Sequence, residues 1–406
     1  MIRSTSLLVC SFLALACSTS SGGPAAPSPS GETPDTAGEI PNSETPTPGG
    51  GTVTLTDKVA SLSTLQAETY LGKMAPPVVG RVLNADERAL VTEKGGAAIG
   101  SVVSGWLKEP GFVKSARRFV ELGLQVSGTL NGVDFDLPGN LVEYVVTSNR
   151  PWSEILTSES CYDAALQPIA CDTGAPYTAG VLTTRAYLIS RSSRFNLTRS
   201  SALMKNFACQ VYPQEETLQP KIIKERLIPM FQANTPEEQT DDRAKSGFGN
   251  GLGCYSCHGQ FSLHAQLYVK FNSAGLYKAE ATGLQDPDGE LGRSLGGLMA
   301  SHLQNATEAA SEHSNMFGQD VENLKAAAKV VANQATFAPC AARRFLDFAL
   351  GVQSGSIEYD AAIFDQVVTA AKAVQPELTL PEIVMHLLTH PTVVTSVVDS
   401  LTGVAP

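Results

Sequence analysis

The 406-residue chain is poor in aromatic residues, 7% of the total, and holds only two tryptophans. Cations are outnumbered, 29 Lys and Arg against 40 Asp and Glu, which leaves a formal net charge of −11. That balance argues against nucleic acid and anionic lipid as electrostatic partners, since both attract basic surfaces. It suits a body that meets cationic patches on a partner protein. No apolar run after residue 17 is long enough to span a bilayer. No GxSxG, HExxH or P-loop pattern occurs, so the sequence offers no independent starting point for those hydrolytic or phosphoryl chemistries. Strand signals are sparse and no internal repeat is evident.

What is present begins with MIRSTSLLVCSFLALAC. One early cation, Arg3, precedes a short apolar run from Leu7 to Ala16, which reads as an export signal over residues 1–16. Ala14-Leu15-Ala16-Cys17 resembles the lipobox of bacterial lipoproteins, with the leucine displaced by one position. The resemblance implies cleavage before Cys17, lipidation of its thiol, and a place on the periplasmic face of the envelope, the outer membrane ahead of the inner. Membrane contact is then through the lipid anchor alone. Residues 17–55 are mostly Ser, Pro, Gly, Thr and acids, with too little apolar surface to offset the entropy of ordering them, and are predicted to be a disordered tether.

Export places the remaining cysteines in an oxidising compartment, where free thiols are uncommon. Of eight, Cys10 lies in the signal and Cys17 is the lipidation candidate. Setting Cys254 and Cys257 aside leaves Cys161, Cys171, Cys209 and Cys340, which allow three pairings. Cys161 and Cys171 bracket a short loop containing Pro168 and are the easiest to join; Cys209 with Cys340 would then tie mid-chain to the C-terminal part.

The stretch GLGCYSCHGQ, residues 251–260, carries the chemistry. Cys254-x-x-Cys257-His258 is the haem c attachment pattern: two thiols add across the vinyl groups and the adjacent histidine ligates the iron. Shuffling this composition produces the pattern about 0.2% of the time, so it is informative alone. A thioredoxin-type dithiol wants a βαβ setting, and a zinc site wants a second Cys/His pair; the surroundings offer neither. Gly253 and Gly259 would let backbone approach a flat macrocycle. His386 and His390, at i and i+4, lack the intervening Glu of a zinc protease and read as a helix's last turn. Arg185, Arg191, Arg194, Arg199 and Lys205 form a basic run, read as a solvated face.

Periodicity makes the body mainly α. Helices are expected over 59–71 and 96–124, the second broken at Pro110-Gly111. NLVEYVVTSNRPWSEILTSES reads as helix, turn at Asn149-Arg150-Pro151, and short helix. Further on, Leu324, Ala328 and Val331 mark one apolar stripe, and Cys340, Phe345, Phe348 and Ala349 another. A last helix opens at TLPEIVMHLL, with Thr379 and Glu382 at capping-box spacing, and closes at His390 before Pro391. A helical module over 56–235 and a haem-bearing helical domain over 236–406 are the expected units.

KMAPPVVGRVLNADE followed by VVSGWLKEPGFVKSARRFVE, NRPWSEILTSES, AGVLTTRAYLISRSSRFNLTRSSALMKNFACQVYP, the haem pattern, FNSAGLYK and CAARRFLDFALG occur in that order over residues 68 to about 396. The order resembles the planctomycete-type cytochrome c domain proteins, exported haem-bearing proteins of poorly defined function. The resemblance implies an N-terminal helical module followed by an α-helical cytochrome c-like domain with one covalent haem c. The family places Asp-Pro-Leu-Gly shortly after the haem histidine; here Phe261, Ser262, Leu263 and His264 stand there.

The stretch DPDGELGRSLGGLMASHLQNATEAASEHSNMFG is longer than the family's and supplies candidates for the sixth iron position. Met299 comes first, with His302 one turn on and His264, His313 and Met316 as alternatives. The expected function is a single-haem c-type lipoprotein that transfers electrons to a periplasmic partner protein. The rivals are a haem enzyme or gas or peroxide sensor with an open sixth position, and a structural lipoprotein stapled by its haem. The iron's spin state separates the first two.

Overall fold

The computed structural model describes residues 55–130, 132–192, 196–212, 222–227, 259, 262–283, 301–353 and 360–402. From Val53 onward the chain forms one compact unit, and it is mainly helical. The stretch expected as one helix over 59–71 is two, α1 (Leu55–Ala60) and α2 (Thr64–Val79). Ser63 divides them. Its hydroxyl accepts the Gln66 N–H at 3.3 Å while the Gln66 side chain accepts the Ser63 N–H at 3.1 Å, and this reciprocal cap satisfies two donors that a new helix start would orphan.

Asn84 and Glu87 repeat the device at α3 (Ala85–Lys94), with both bonds at 2.8 Å. Only Val91 of α3 is buried, so the helix has no apolar stripe to betray it in the sequence. After a 3₁₀ turn come α4 (Ile99–Trp106) and α5 (Pro110–Leu124), separated before Pro110, which sits in the first turn of α5. Next are α6 (Leu137–Thr147), α7 (Glu154–Thr157), α8 (Arg185–Ser190) and α9 (Leu197–Phe207). The C-terminal part adds α10 (Ala306–Ala309), α11 (Leu324–Ala332), α12 (Phe337–Leu350), α13 (Ala361–Val374), α14 (Leu380–Leu388) and α15 (Pro391–Thr402).

The sequence places the last helix end at His390, but α14 stops at Leu388 and another helix begins at Pro391. Proline is at home there because a first-turn residue has no helical donor to lose. Val393, Val394, Val397 and Val398 then bury the inner face of α15. The Thr379 cap of α14 forms as expected, its hydroxyl accepting the Glu382 N–H at 3.4 Å.

Three antiparallel hairpins complete the described structure: β1 (Thr129–Leu130) with β2 (Val133–Asp134), β3 (Cys161–Tyr162) with β4 (Pro168–Ile169), and β5 (Ser314–Met316) with β6 (Gln319–Val321).

Helix α2 is the spine. Ala67, Tyr70, Leu71, Met74, Ala75 and Val78 are wholly buried, against α5 from the N-terminal side and α12 and α15 from the C-terminal side. The Tyr70 hydroxyl donates to the Leu388 carbonyl at 2.6 Å, a buried bond between residues 318 apart in sequence. The boundary expected at 235/236 falls outside the described residues, and the described residues on its two sides share one apolar core. Among the described residues no helix is long and apolar enough to cross a membrane.

Candidate metal centre

Cys254, Cys257 and His258 lie outside the described residues, as do Met299 and Cys17. The frame beside them is described. Gly259, next in sequence to His258, is helical and buried, and its carbonyl accepts the Ile222 N–H at 3.3 Å. Residues 262–265 are helical and Gln266–Tyr268 tightens into a 3₁₀ turn. Ala265, Leu267 and Tyr268 are fully buried, so the chain lies in the core within ten residues of His258.

Gln266 organises what packs on that turn. Its Nε2 donates to the carbonyls of Glu308 at 3.0 Å, Ala309 at 3.0 Å and Ser311 at 2.5 Å, and its Oε1 accepts from the Ser301 hydroxyl at 2.7 Å. One buried amide thus clamps the segment 301–311 to the chain that follows His258. Replacing a water-exposed amide by a fully bonded buried one is favourable only when every polar atom is satisfied, and here each is.

His302 lies inside the clamped segment and is 1% exposed. Both neighbours are fixed: the Ser301 N–H donates to Gly283 at 2.8 Å, the Leu303 N–H donates to the Ser301 hydroxyl at 3.0 Å, and Leu303 bridges to Leu227. His264 is also buried, with Nδ1 at 2.6 Å from the Tyr212 hydroxyl. Burial pushes the Tyr212 phenol up, so it stays protonated beside the ring. Of the later candidates, His313 is exposed and Met316 is packed in the shared apolar core.

Arg185, Arg191 and Arg199 of the basic run prove structural, whereas Lys205 is exposed. Arg199 is 2% exposed and donates to the Leu188, Phe271 and Asn272 carbonyls at 2.9, 2.8 and 2.6 Å, and to the Asn196 side chain at 2.9 Å. Arg185 donates to the Ala274 carbonyl, and Arg191 to those of Gly123 and Leu124. These are carbonyls at helix and turn ends, which lack partners of their own, so the cations are spent inward rather than on a solvated face. Arg194 lies outside the described residues.

A carboxylate is handled similarly. Glu312 accepts from the Tyr177 hydroxyl and, at 2.8 Å, from the Tyr277 hydroxyl. Burial raises its pKa, against the lowering effect of both phenols. Gln266 and Glu312 are polar residues that sequence reasoning missed, and Arg199 is one that it placed on a solvated face. The available signal was a polar side chain inside an apolar run, as in LHAQLYV.

Cys161 is joined to Cys171 and Cys209 to Cys340. Beyond the signal and Cys17, the two cysteines left over are Cys254 and Cys257. His386 faces Glu382 at 4.0 Å and His390 contacts the Gln366 side chain at 3.2 Å, so the two histidines take separate partners. Among the described residues no group of three or more His, Cys, Asp or Glu is arranged to hold a metal ion.

Comparison with protein-family models, with curated proteins and with solved structures returns no match. The residues present nevertheless fit a covalent haem. The donor set is a dithiol and an adjacent histidine. The four cysteines that could divert the dithiol are paired with each other, and the residue after the histidine is a buried glycine in helical conformation.

Proposed function

We propose that the chain is a single-haem c-type cytochrome lipoprotein, anchored through Cys17 on the periplasmic face of a bacterial envelope, that passes electrons to a partner protein. One observation carries the reading. Cys161–Cys171 and Cys209–Cys340 are closed, and the two cysteines of an exported chain outside these bridges stand at the spacing, and before the histidine, that thioether attachment requires.

Cys254 and Cys257 would hold the haem and His258 would take the proximal position, with Met299 for the sixth. Bound haem supplies a one-electron Fe(II)/Fe(III) couple. The protein's own share is burial and rigidity. The Gln266 clamp fixes the segment that contains His302, a few residues beyond Met299 in sequence, onto the chain after His258, and Ala265, Leu267 and Tyr268 there are fully buried. A rigid, dry surround keeps reorganisation small, which is what electron transfer asks of it.

The test is an oxidised and reduced visible spectrum of protein matured with the cytochrome c assembly machinery, together with a haem-peroxidase stain of a denaturing gel. Stain at the protein's mass is expected, with its loss in Cys254→Ser and Cys257→Ser. An unstained wild type overturns the reading.

Met299 is tested separately. Its soft thioether favours ferrous iron, so Met299→Ala should lower the reduction potential and open the iron to carbon monoxide. Unchanged spectrum, potential and carbon monoxide binding would assign the sixth position elsewhere.

A further inference from the structure

Glu312 differs from the other half-buried glutamates. Glu87, Glu109, Glu121, Glu143 and Glu154 each face an arginine at 3.0 Å or less. Among the described residues Glu312 has no cation within 4.0 Å, and its partners are the phenols of Tyr177 and Tyr277. Lys270 acts on it from further off, its ammonium spent on the Ala279 and Ala281 carbonyls at 2.9 and 2.6 Å. A carboxylate withdrawn from water ordinarily has a positive charge beside it, from a side chain or from a metal.

The oxygens around it are held by the fold. Tyr277 closes a tight turn in which Phe271 bridges to Tyr277 and the Asn272 side chain accepts the Leu276 N–H at 2.8 Å. The Tyr277 N–H donates to the Thr173 carbonyl at 2.8 Å, which ties that turn to the segment carrying Tyr177. Phe271 meets both rings edge-on, with centroids 6.5 Å from Tyr177 and 5.3 Å from Tyr277. Glu312 follows Ser311, whose carbonyl is fixed by Gln266 at 2.5 Å. Two phenol and two carboxylate oxygens from three segments therefore meet at one place on a rigid frame. The Tyr277 oxygen lies 2.8 Å from the carboxylate. That is the edge of an octahedron about a small hard cation with metal–oxygen bonds of about 2.0 Å.

Carboxylate and phenolate are hard oxygen donors, and one carboxylate with two phenolates sums to three negative charges, which a trivalent cation cancels outright. We propose that Tyr177, Tyr277 and Glu312 form a binding site for ferric iron. The ion takes the place of the two phenol protons, which pass to solvent, and the four oxygens become its ligands; water or a small anion completes the shell. Burial holds both phenols protonated well above the usual range, so a weaker Lewis acid leaves them so. A divalent ion would also leave the partly desolvated site charged. The site is independent of the haem reading, since it takes nothing from Cys254, Cys257 or His258.

Titration of the full mature chain with ferric nitrilotriacetate tests it, read as a difference spectrum against the untreated chain so that any haem contribution cancels. One equivalent should raise a phenolate-to-iron charge-transfer band in the visible, and resonance Raman excitation within that band should show tyrosinate ring modes. Two protons should leave per iron bound, so the apparent affinity should rise with pH. Tyr277→Phe keeps the ring and Glu312→Gln keeps the shape, and each should weaken binding at least about tenfold. Tyr177→Phe/Tyr277→Phe should abolish the band; if that double variant does not melt cooperatively, Tyr277→Phe alone decides. A wild type that develops no such band, or an undiminished band in a folded variant without the Tyr277 phenol, overturns the proposal.

Discussion

Arg199→Met is expected to lower unfolding stability by about 4 kcal/mol or more, since each stripped buried acceptor costs about 1–3 kcal/mol. Four acceptors depend on this one side chain: the Leu188, Phe271 and Asn272 carbonyls and the Asn196 side-chain oxygen. Methionine fills most of the space of the arginine stem but donates nothing, so the loss is one of hydrogen bonds and not of packing. The acceptors come from α8, from the turn into α9 and from the chain at 271–272, so one residue welds three segments. The same reasoning orders the variants: Arg199→Lys keeps the charge, reaches fewer acceptors, and should lose roughly half as much. Denaturant midpoints measure both. A loss under about 1 kcal/mol for Arg199→Met would mean that water replaces the donors.

Much of the helical framework was open to reading because burial writes a period of three and four into the chain. The stripes of α5, α6, α11 and α12 were visible this way, as was the Thr379 cap. Helix α3 was not, because one buried valine makes no stripe, and its evidence lay in Asn84 and Glu87 instead. The break at Ser63 was overlooked for a related reason. The apolar pattern runs through it, and only the Ser-x-x-Gln spacing marks a new start. Pro391 reads as a terminator in the sequence and is an initiator in the structure; the same locked φ serves both roles, and the valine spacing beyond it decides.

The Cys-x-x-Cys-His pattern is legible because its residues are adjacent in sequence. The polar frame is not, because it is tertiary. Nothing local tells that Gln266 will meet carbonyls 42 to 45 residues away, or that Arg199 will reach residues 72 and 73 further on. The basic run was read as solvated for the same reason. A cation's fate depends on which orphaned carbonyls the fold brings to it.

Removing the Cys209–Cys340 bridge should cost about 2–5 kcal/mol, toward the upper end on chain-entropy grounds because the bridge closes a loop with a sequence separation of 131. It ties the end of α9 to α12, which packs on the α2 spine, so its loss frees the C-terminal helices from the middle of the chain. Cys161–Cys171, with a separation of 10, should matter less, about 2–3 kcal/mol on the same account. Calorimetric melting of Cys209→Ser/Cys340→Ser against Cys161→Ser/Cys171→Ser compares them, and an equal or reversed order would place the stabilisation in local geometry and not in loop closure. Single replacements should behave worse than the double one. Under the proposed export, Cys340→Ser leaves Cys209 as a lone thiol; where the compartment's oxidising machinery has joined Cys254 to Cys257, the Cys209 thiolate attacks that disulfide, bonds to one sulfur and releases the other as a thiol. Peptide mapping should then find Cys209 cross-linked to one of them, and haem stain should fall further in the single variant than in the double. Equal stain in both, with Cys209 alkylatable, would show that the dithiol is out of reach of Cys209 during maturation.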